Sequence, residues 1–321
     1  MTKHKVLLVG AGQMAQAYAK VLTALSVPFI VFGRGEASAA SFEEARGLRP
    51  FVGPLGALIE AQTDLPRTAI VAVNAQNLFQ VTQTLLRSGV SRILVEKPAG
   101  LNSTEVNSLA EVELSTASEV YVAYNRRFYA STTAAKSMID ADGGVISVKF
   151  DFTEATRRIE ILNKPEKELN AWFFGNSTHV IDMAFFLAGT PAEISAKRSG
   201  KLSWHDEGAV FIGHGRTTTN ALISYHANWL APGRWGVEVM TERKRYVLQP
   251  LEQLFVQEHG SFALKQVELN TDLDTRFKPG IYHQVRSFLS GQQDERLLTI
   301  GAHARLFAAY AAIRSGTSFS A

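Results

Sequence analysis

Apolar runs that alternate with helical spacing dominate the first part of the chain. Val6–Val9 is continuously apolar, as expected for a parallel strand that is covered on both faces. Further runs of this kind are Phe29–Phe32, Thr68–Val73, Arg92–Val95 and Glu119–Ala123, with helical patterns between them. Strands that alternate with helices over short connections predict right-handed crossovers and one parallel sheet.

The period of the pattern changes beyond about residue 140. Ile146, Val148, Phe150 and Phe152 alternate with polar residues, and the alternation recurs in residues 221–229 and 235–239. Period-two alternation predicts antiparallel strands with one packed face and one polar face. The sequence therefore predicts an α/β fold with a parallel sheet in residues 1–124. An α+β domain with a large, mainly antiparallel open sheet is predicted for residues 125–321, whose C-terminal helix is a candidate to pack back on the first domain.

A glycine-rich turn follows the first predicted strand and opens a helix. Its residues are Gly10, Gly12, Gln13 and Met14, with Ala15 at the third small position. Gly10 permits the tight turn, Gly12 lets a pyrophosphate approach the backbone, and the helix N-terminus binds phosphate through its amides. This order of strand, turn and helix predicts a Rossmann dinucleotide-binding domain.

The end of the second strand indicates which dinucleotide is bound. An acidic residue at this position would accept the ribose 2′-hydroxyl, whereas an arginine accommodates a 2′-phosphate. The chain has Gly33 and Arg34 here, with Ser38 close behind, so NADP(H) is favoured over NAD(H). Glu36 keeps NAD(H) open, because a shifted loop would bring its carboxylate to the ribose.

Polar side chains follow three more strands at the predicted carboxyl edge, where open α/β sheets bind ligands. Asn74 and Gln76 follow one strand, Glu96 and Lys97 the next, and Asn125 the last. These five residues are expected in the cofactor crevice. Lys97 is the candidate for chemistry, since a lysine there faces a cofactor and not bulk water.

Composition narrows the function classes. The 321 residues favour two domains. A net charge of +3 without a basic run makes nucleic acid an unlikely partner, and the absence of cysteine excludes disulfides and thiolate chemistry. The first apolar run is too short for a signal peptide or a membrane span, so a cytoplasmic protein is predicted. The histidines lack metal-binding spacing, and no metal site is expected.

One histidine stands at the start of a buried helix in the second domain. Val180–Ala188 is apolar and ends at Gly189, and Asn176, Ser177 and Thr178 are all good N-cap residues. His179 is therefore expected in or near the first turn.

Together these features resemble the Gfo/Idh/MocA oxidoreductases. The resemblance rests on the glycine turn, on Glu96-Lys97-Pro98 at a strand end, on residues 124–128 and on the helix-opening histidine. It implies a Rossmann domain for NAD or NADP, a second domain that supplies a sugar or cyclitol site, and Lys97 and His179 as the catalytic pair. The family usually has an aspartate four residues before the histidine, where this chain has Gly175. Asn176 beside it cannot accept a proton and is expected to bind substrate.

The resemblance implies hydride transfer between nicotinamide and a secondary alcohol or ketone carbon of a sugar, nucleotide-sugar or cyclitol. Lys97 is the expected proton shuttle, with His179 as its partner. Arg126, Trp172 and Tyr282 are further candidates for the substrate pocket, although Arg126 could equally belong to a structural ion pair. Family analogy predicts a homodimer or homotetramer through the second sheet. Two alternatives stay open: a non-catalytic NAD(P)-binding sensor or interaction protein, and a member that uses NAD transiently for glycoside cleavage.

Overall fold

A computed structural model describes residues 6–162 and 164–321. The chain divides into two compact units. The first comprises the described residues up to Asn125 together with Leu273–Ala304, and the second comprises Arg126–Asp272 and Arg305–Ala321. No helix within the described residues is both long enough and apolar enough to cross a bilayer.

The first unit is built on a seven-stranded sheet. Its strands are β1 (Val6–Val9), β2 (Phe29–Gly33), β3 (Phe51–Val52), β4 (Thr68–Val71), β5 (Arg92–Val95), β6 (Glu119–Val122) and β15 (Leu298–Thr299). Their order is β15-β6-β5-β4-β1-β2-β3, and every pairing is parallel except that of the edge strand β15 with β6. The predicted parallel sheet is confirmed.

Helices connect these strands. They are α1 (Gln13–Ala24), α2 (Glu36–Arg46), α3 (Leu55–Glu60), α4 (Leu78–Arg87) and α5 (Ser103–Thr116). All four residues of β1 are buried, and α1 buries Ala15, Tyr18 and Leu22 on one face. Apolar strands covered by helices on both faces form the core of this unit.

The second unit is built on a nine-stranded sheet. Its strands are β7 (Ser147–Asp151), β8 (Pro191–Ser199), β9 (Val210–Thr217), β10 (Leu222–Asn228), β11 (Gly236–Met240), β12 (Lys244–Leu248), β13 (Phe255–Glu258), β14 (Lys265–Gln266) and β16 (Ser318–Ser320). The order is β14-β13-β12-β11-β7-β10-β9-β8-β16, and the only parallel pair within it is β7 with β10. The predicted α+β architecture with a mainly antiparallel sheet is confirmed.

Helices cover one face of this sheet. The α-helices after β6, which belong to both units, are α6 (Ala130–Ala141), α7 (Thr156–Glu160), α8 (Glu166–Asn170), α9 (Thr178–Ala188), α10 (Asp272–Arg276), α11 (Ile281–Ser290) and α12 (Ile300–Ser315). Helix α9 packs on β7 and β11. Phe150, Phe152 and Tyr225 point to the covered face and stack with centroid distances of 5.3–6.3 Å. The alternation seen in the sequence is thus the division between a covered face and an open face.

The predicted division of the chain into two domains, between residues 124 and 125, does not hold for one C-terminal segment. Leu273–Ala304 belongs to the first unit, because β15 extends its sheet and α11 packs against α1. The apolar face of α11 is buried, and the guanidinium of Arg92 donates to the carbonyl of Phe288 at 3.0 Å. Helix α12 crosses the division between Ala304 and Arg305.

Candidate active site

The glycine turn lies between β1 and α1, as the sequence predicts. Gly10 has φ +123°, and a Cβ there would lie 2.2 Å from the Ala72 carbonyl oxygen, so the fold itself requires glycine. Gly12 has φ −82°, and no heavy atom lies within 4 Å of where its Cβ would stand. Protein packing does not explain the second glycine. A free, backbone-lined space at a helix N-terminus is what a dinucleotide pyrophosphate needs, so the turn fits the cofactor. Gln13 and Met14 form the first helical residues beside it.

The segment after β2 contains the two candidate ligands of the cofactor ribose, Arg34 and Glu36. Gly33 is buried, and a Cβ added there would lie 3.3 Å from the Ala11 Cβ. Arg34, the next residue, is exposed. Within the described residues, Arg34 makes no ion pair. The Glu36 carboxylate, the alternative ribose ligand, instead pairs with Arg49.

Ser38 lies in the first turn of α2, where its hydroxyl donates to the Gly35 carbonyl at 2.9 Å. In this segment, therefore, Arg34 has no ion-pair partner among the described residues, whereas the Glu36 carboxylate is paired with Arg49.

The next strand ends place the remaining first-unit candidates along the same edge. Asn74 and Gln76 are exposed after β4, which pairs in parallel register with both β1 and β5. Asn125 follows β6 and is buried, and its side-chain amide donates to the Pro279 carbonyl at 2.9 Å. Because parallel strands end at a common edge, the structure brings these residues to the edge that carries the glycine turn.

Glu96 and Lys97 follow β5 at this edge. Glu96 is buried, and its carboxylate accepts a hydrogen bond of 2.7 Å from the Tyr18 hydroxyl of α1. Burial and the Glu96 charge raise the pKa of Tyr18 well above its usual value. Lys97 is partly exposed, and its peptide bond to Pro98 is cis. The Pro98 carbonyl lies 3.0 Å from Nε2 of His303 on α12, which adds a contact to the backbone beside the lysine.

The second unit contains a buried carboxyl group that the sequence reasoning missed. Glu154 follows β7 and is 5% exposed. The Ser177 hydroxyl donates to its Oε1 at 2.7 Å, and the Asn176 amide donates to Oε1 at 3.1 Å and to Oε2 at 3.0 Å. The predicted substrate residue Asn176 therefore lies against an acidic side chain.

The surroundings of Glu154 raise its pKa to about 7. Burial is the largest cause, since it disfavours the charged form. Hydrogen bonds from Ser177 and Asn176 and the charge of Arg126 act in the opposite direction. The net result is a carboxyl group that changes its protonation state near neutral pH.

One sequence signal could have identified this residue. Val148, Phe150 and Phe152 are buried at period two, and Glu154 is the next position in that phase. An acidic residue at a covered position is unusual, because carboxylates are rarely fully buried without a partner.

His179 is the second residue of α9 and is buried, so its predicted position is confirmed. Of the three predicted N-cap residues, Ser177 occupies the N-cap position of α9, but its side chain makes no capping hydrogen bond. Residues Phe173–Ser177 form a π-helical turn that runs into α9, and Ser177 itself has helical torsion angles. The Asn176 and Ser177 side chains donate to Glu154, and the Thr178 hydroxyl donates to the Phe174 carbonyl at 2.7 Å. The start of α9 is therefore joined to preceding helical backbone.

A cavity of about 790 Å³ lies beside Glu154 in the second unit. It is formed by the loops after β7 and between β10 and β11. Its lining includes Glu154 and Trp235, and also three exposed arginines without an ion pair among the described residues, namely Arg157, Arg158 and Arg234. The volume lies in the range of small-molecule sites, and the charge of the lining favours an anionic ligand.

The remaining predicted substrate residues lie in different units. The Arg126 guanidinium stacks over Trp235, 4.9 Å from the ring centroid, at the edge of this cavity. Trp172 packs edge-on against Trp204 and belongs to the same unit as Asn176. Tyr282 lies in the first unit on α11, against Phe277. The structure thus groups Arg126, Trp172 and Asn176 in one unit and places Tyr282 in the other.

A match to a protein-family model indicates the class of protein to which the N-terminal part of the chain is similar. Residues 4–124 match the Gfo/Idh/MocA model, described as an oxidoreductase family with an NAD-binding Rossmann fold. The match covers residues 4–124 of the 321, so the similarity to that family is established for this part of the chain. The predicted family and enzyme class, an oxidoreductase that uses a nicotinamide cofactor, are confirmed. A search of curated protein sequences finds no significant match.

Solved structures with the same fold cover nearly the whole chain. A UDP-N-acetylglucosamine 3-dehydrogenase from Acidithiobacillus ferrooxidans aligns with a TM-score of 0.76 at 15% identity, over 99% of this chain and 98% of its own. A levoglucosan dehydrogenase in complex with NADH and L-sorbose aligns at 0.80 and 16%, over 100% and 99%. A putative NADPH-dependent oxidoreductase from Desulfitobacterium hafniense aligns at 0.77 and 17%, over 100% and 98%. At these identities the likeness establishes the fold alone.

Proposed function

We propose that this protein transfers a hydride between NADP(H) and a secondary alcohol or ketone carbon of a sugar. The observation that carries the proposal is the glycine turn, whose second glycine is explained by a bound dinucleotide and not by packing. Structural relatives named as sugar and nucleotide-sugar dehydrogenases support the substrate class. The nicotinamide would accept or donate the hydride, and the protein would orient the alcohol and exchange its proton.

Lys97 and His179 are the proposed catalytic pair. In the oxidative direction, Lys97 would accept the hydroxyl proton as the hydride leaves the carbon, and His179 is proposed as its partner in this proton transfer. In the reductive direction, a protonated group donates to the developing alkoxide.

The preference for NADP(H) rests on the loop after β2. Arg34 is exposed and makes no ion pair within the described residues, so it is available to a 2′-phosphate. Glu36 is engaged by Arg49, and using it for a ribose hydroxyl would require that pair to break. The Gly12 space together with Gln13, Met14 and Ser38 would surround the phosphates and ribose, and Asn74, Gln76, Glu96 and Asn125 the nicotinamide side.

The arginines of the second-unit cavity favour an anionic sugar. Three guanidinium groups line a space of about 790 Å³, which exceeds the needs of a free monosaccharide and suits a nucleotide-linked sugar. Arginine binds phosphate oxygens bidentately. Among the classes that the resemblance implies, a sugar that carries phosphate groups is the best fit.

Turnover with each cofactor tests this function. Purified protein with NADP⁺ or NADPH is offered UDP-N-acetylglucosamine, UDP-glucose, D-glucose, L-sorbose and myo-inositol, and nicotinamide absorbance is followed. Wild-type protein is expected to turn over a nucleotide-linked sugar, and Lys97→Met is expected to bind cofactor but lose most of this activity. Lys97→Met turnover at the wild-type rate would refute the catalytic assignment. Tight cofactor binding without turnover of any sugar would favour the sensor.

Two further properties belong to the proposal. The open face of the second sheet exposes Ile212 and Leu222, and we place the homodimer or homotetramer contact there. A monomer at micromolar concentration in light scattering would contradict that interface. Cytoplasmic location is proposed from the absence of cysteine.

A further inference from the structure

Glu154 is buried at a free-energy cost that no described ion pair offsets. It is 5% exposed, and no lysine, arginine or histidine forms an ion pair with it among the described residues. Its hydrogen-bond donors are neutral groups, namely the hydroxyl of Ser177 and the amide of Asn176. Neutral donors compensate a buried carboxylate only in part, which is why its pKa rises.

These donors also fix where the carboxylate points. Ser177 and Asn176 both reach Oε1, whereas Oε2 receives only the Asn176 amide at 3.0 Å. An ionised carboxylate offers about four acceptor positions. Glu154 therefore has acceptor capacity beyond its protein hydrogen bonds, and it lines the cavity.

The position of Glu154 also relates to the missing family acid. Gly175 occupies the place of that acid and has no heavy atom within 4 Å of its Cβ position. Asn176 and Ser177, the two residues that follow, are the ones bonded to Glu154. The strand β7 thus delivers a carboxyl group to the turn whose own sequence lacks one.

We propose that the Glu154 carboxylate binds a hydroxyl group of the sugar in this cavity and is a specificity-determining residue. The inference rests on the proposed function and adds a residue to it. No bond is made or broken in this step, because an O–H group of the ligand donates to the carboxylate. Sugars, with several hydroxyl donors, are the ligand class that a carboxylate acceptor beside arginines selects.

Ionisation of Glu154 makes this binding depend on pH. The ionised carboxylate accepts strongly, whereas the protonated form loses acceptor capacity, so sugar affinity is expected to rise as pH increases through about 7. The charged groups that face the cavity and Glu154 are Arg126, Arg157, Arg158 and Arg234. His226, whose ring Nδ1 lies 3.3 Å from the Asp151 carboxylate, has its own control.

Glu154→Gln is the direct test, since glutamine keeps the shape and an acceptor oxygen but not the charge. Binding of UDP-glucose and D-glucose to NADPH-loaded protein is measured by calorimetry between pH 6 and 8.5, without turnover. Loss of one charge-assisted hydrogen bond is expected to weaken sugar binding about 10- to 100-fold at pH 8. The affinity of the variant should no longer rise with pH, while NADPH affinity stays unchanged.

Matched controls distinguish direct contact between Glu154 and the sugar from a structural role of Glu154. Glu160→Gln removes an exposed carboxylate from the same segment, and His226→Gln removes the histidine beside Asp151; both variants are expected to bind sugar with the wild-type pH dependence. A series of deoxyglucoses should contain one member that wild-type protein and Glu154→Gln bind equally. A merely structural role would weaken all members alike.

The outcomes distinguish this inference from the proposed function. Sugar binding that depends on Glu154, without hydride transfer, would support the inference and refute the function. Hydride transfer with Glu154→Gln affinity and pH dependence equal to wild type would refute the inference alone. Wild-type protein that binds neither sugar contradicts the inference.

Discussion

Replacing Glu154 by glutamine is expected to stabilise the protein at neutral and alkaline pH. The carboxylate is penalised by burial, and glutamine retains the hydrogen-bonding shape without a charge. Asn176 can turn its amide to present an oxygen to the new side-chain NH₂ group. A stability gain on removing a polar group is the usual sign that the group serves binding or catalysis.

The magnitude follows from the pKa. Folding raises the pKa of Glu154 from its ordinary 4.5 to about 7. At 1.36 kcal/mol per pKa unit, the folded state loses about 3 kcal/mol of stability between pH 4.5 and pH 7 through this one group. The folded state binds the proton more tightly than the unfolded state, so this stability is fully present below pH 4.5 and is lost as pH rises.

Urea unfolding of wild-type protein and Glu154→Gln at several pH values provides the assay. The variant is expected to gain about 3 kcal/mol relative to wild type on going from pH 4.5 to pH 8. Glu160→Gln, an exposed site, should follow wild type at every pH. A difference between wild type and Glu154→Gln that does not change with pH would refute the reasoning about this buried carboxyl.

Three further predictions concern cofactor and fold. Arg34→Ala is expected to weaken NADPH binding about tenfold or more and leave NADH binding nearly unchanged in fluorescence titration, and equal losses for both would contradict the 2′-phosphate assignment. Gly12→Ala should fold with wild-type stability but bind cofactor poorly, whereas Gly10→Ala should fail to fold stably because its Cβ would meet a carbonyl oxygen. Thermal unfolding with and without NADPH separates the two, and normal NADPH affinity of Gly12→Ala would oppose the pyrophosphate site. Asp182→Leu should lower the free energy of unfolding, measured in urea, by about 3–5 kcal/mol. The substitution removes the carboxylate that accepts two hydrogen bonds, of 2.8 and 2.6 Å, from the buried Arg127 guanidinium. A decrease below about 1 kcal/mol would contradict this prediction.

The parallel half of the fold was predictable because its strands are buried on both faces. Val6–Val9 is a continuous apolar run that matches β1, and the apolar run Ile93–Val95 lies within β5. Short two-residue strands such as β3 and β15 carry no such signal, since two residues cannot show a period. The return of Leu273–Ala304 to the first unit depends on tertiary pairing and could not be predicted from local pattern.

The candidate site was predictable where function depends on backbone geometry. The glycine turn and the position of His179 follow from local sequence, because turn and helix chemistry are local. The use of Asn176 and Ser177 as donors to Glu154 was not predictable, since it joins residues 22 and 23 positions apart. Both residues have good N-cap side chains, and a buried carboxylate competed successfully for them.

Glu154 also changes what can be inferred from Gly175. The sequence has Gly175 where the resembling family usually has an aspartate, four residues before His179. The structure places a buried carboxyl group against the residues that follow Gly175. The departure from the family pattern is therefore accompanied by an acidic side chain from another element.

Deuterium transfer tests the central claim most directly. A sugar that carries deuterium at each ring carbon is incubated with the protein and NADP⁺, and the nicotinamide product is analysed by mass spectrometry. The account predicts one deuterium at the nicotinamide ring for every sugar oxidised, with transfer largely abolished by Lys97→Met. Bound NADP⁺ that acquires no deuterium from any sugar would contradict it.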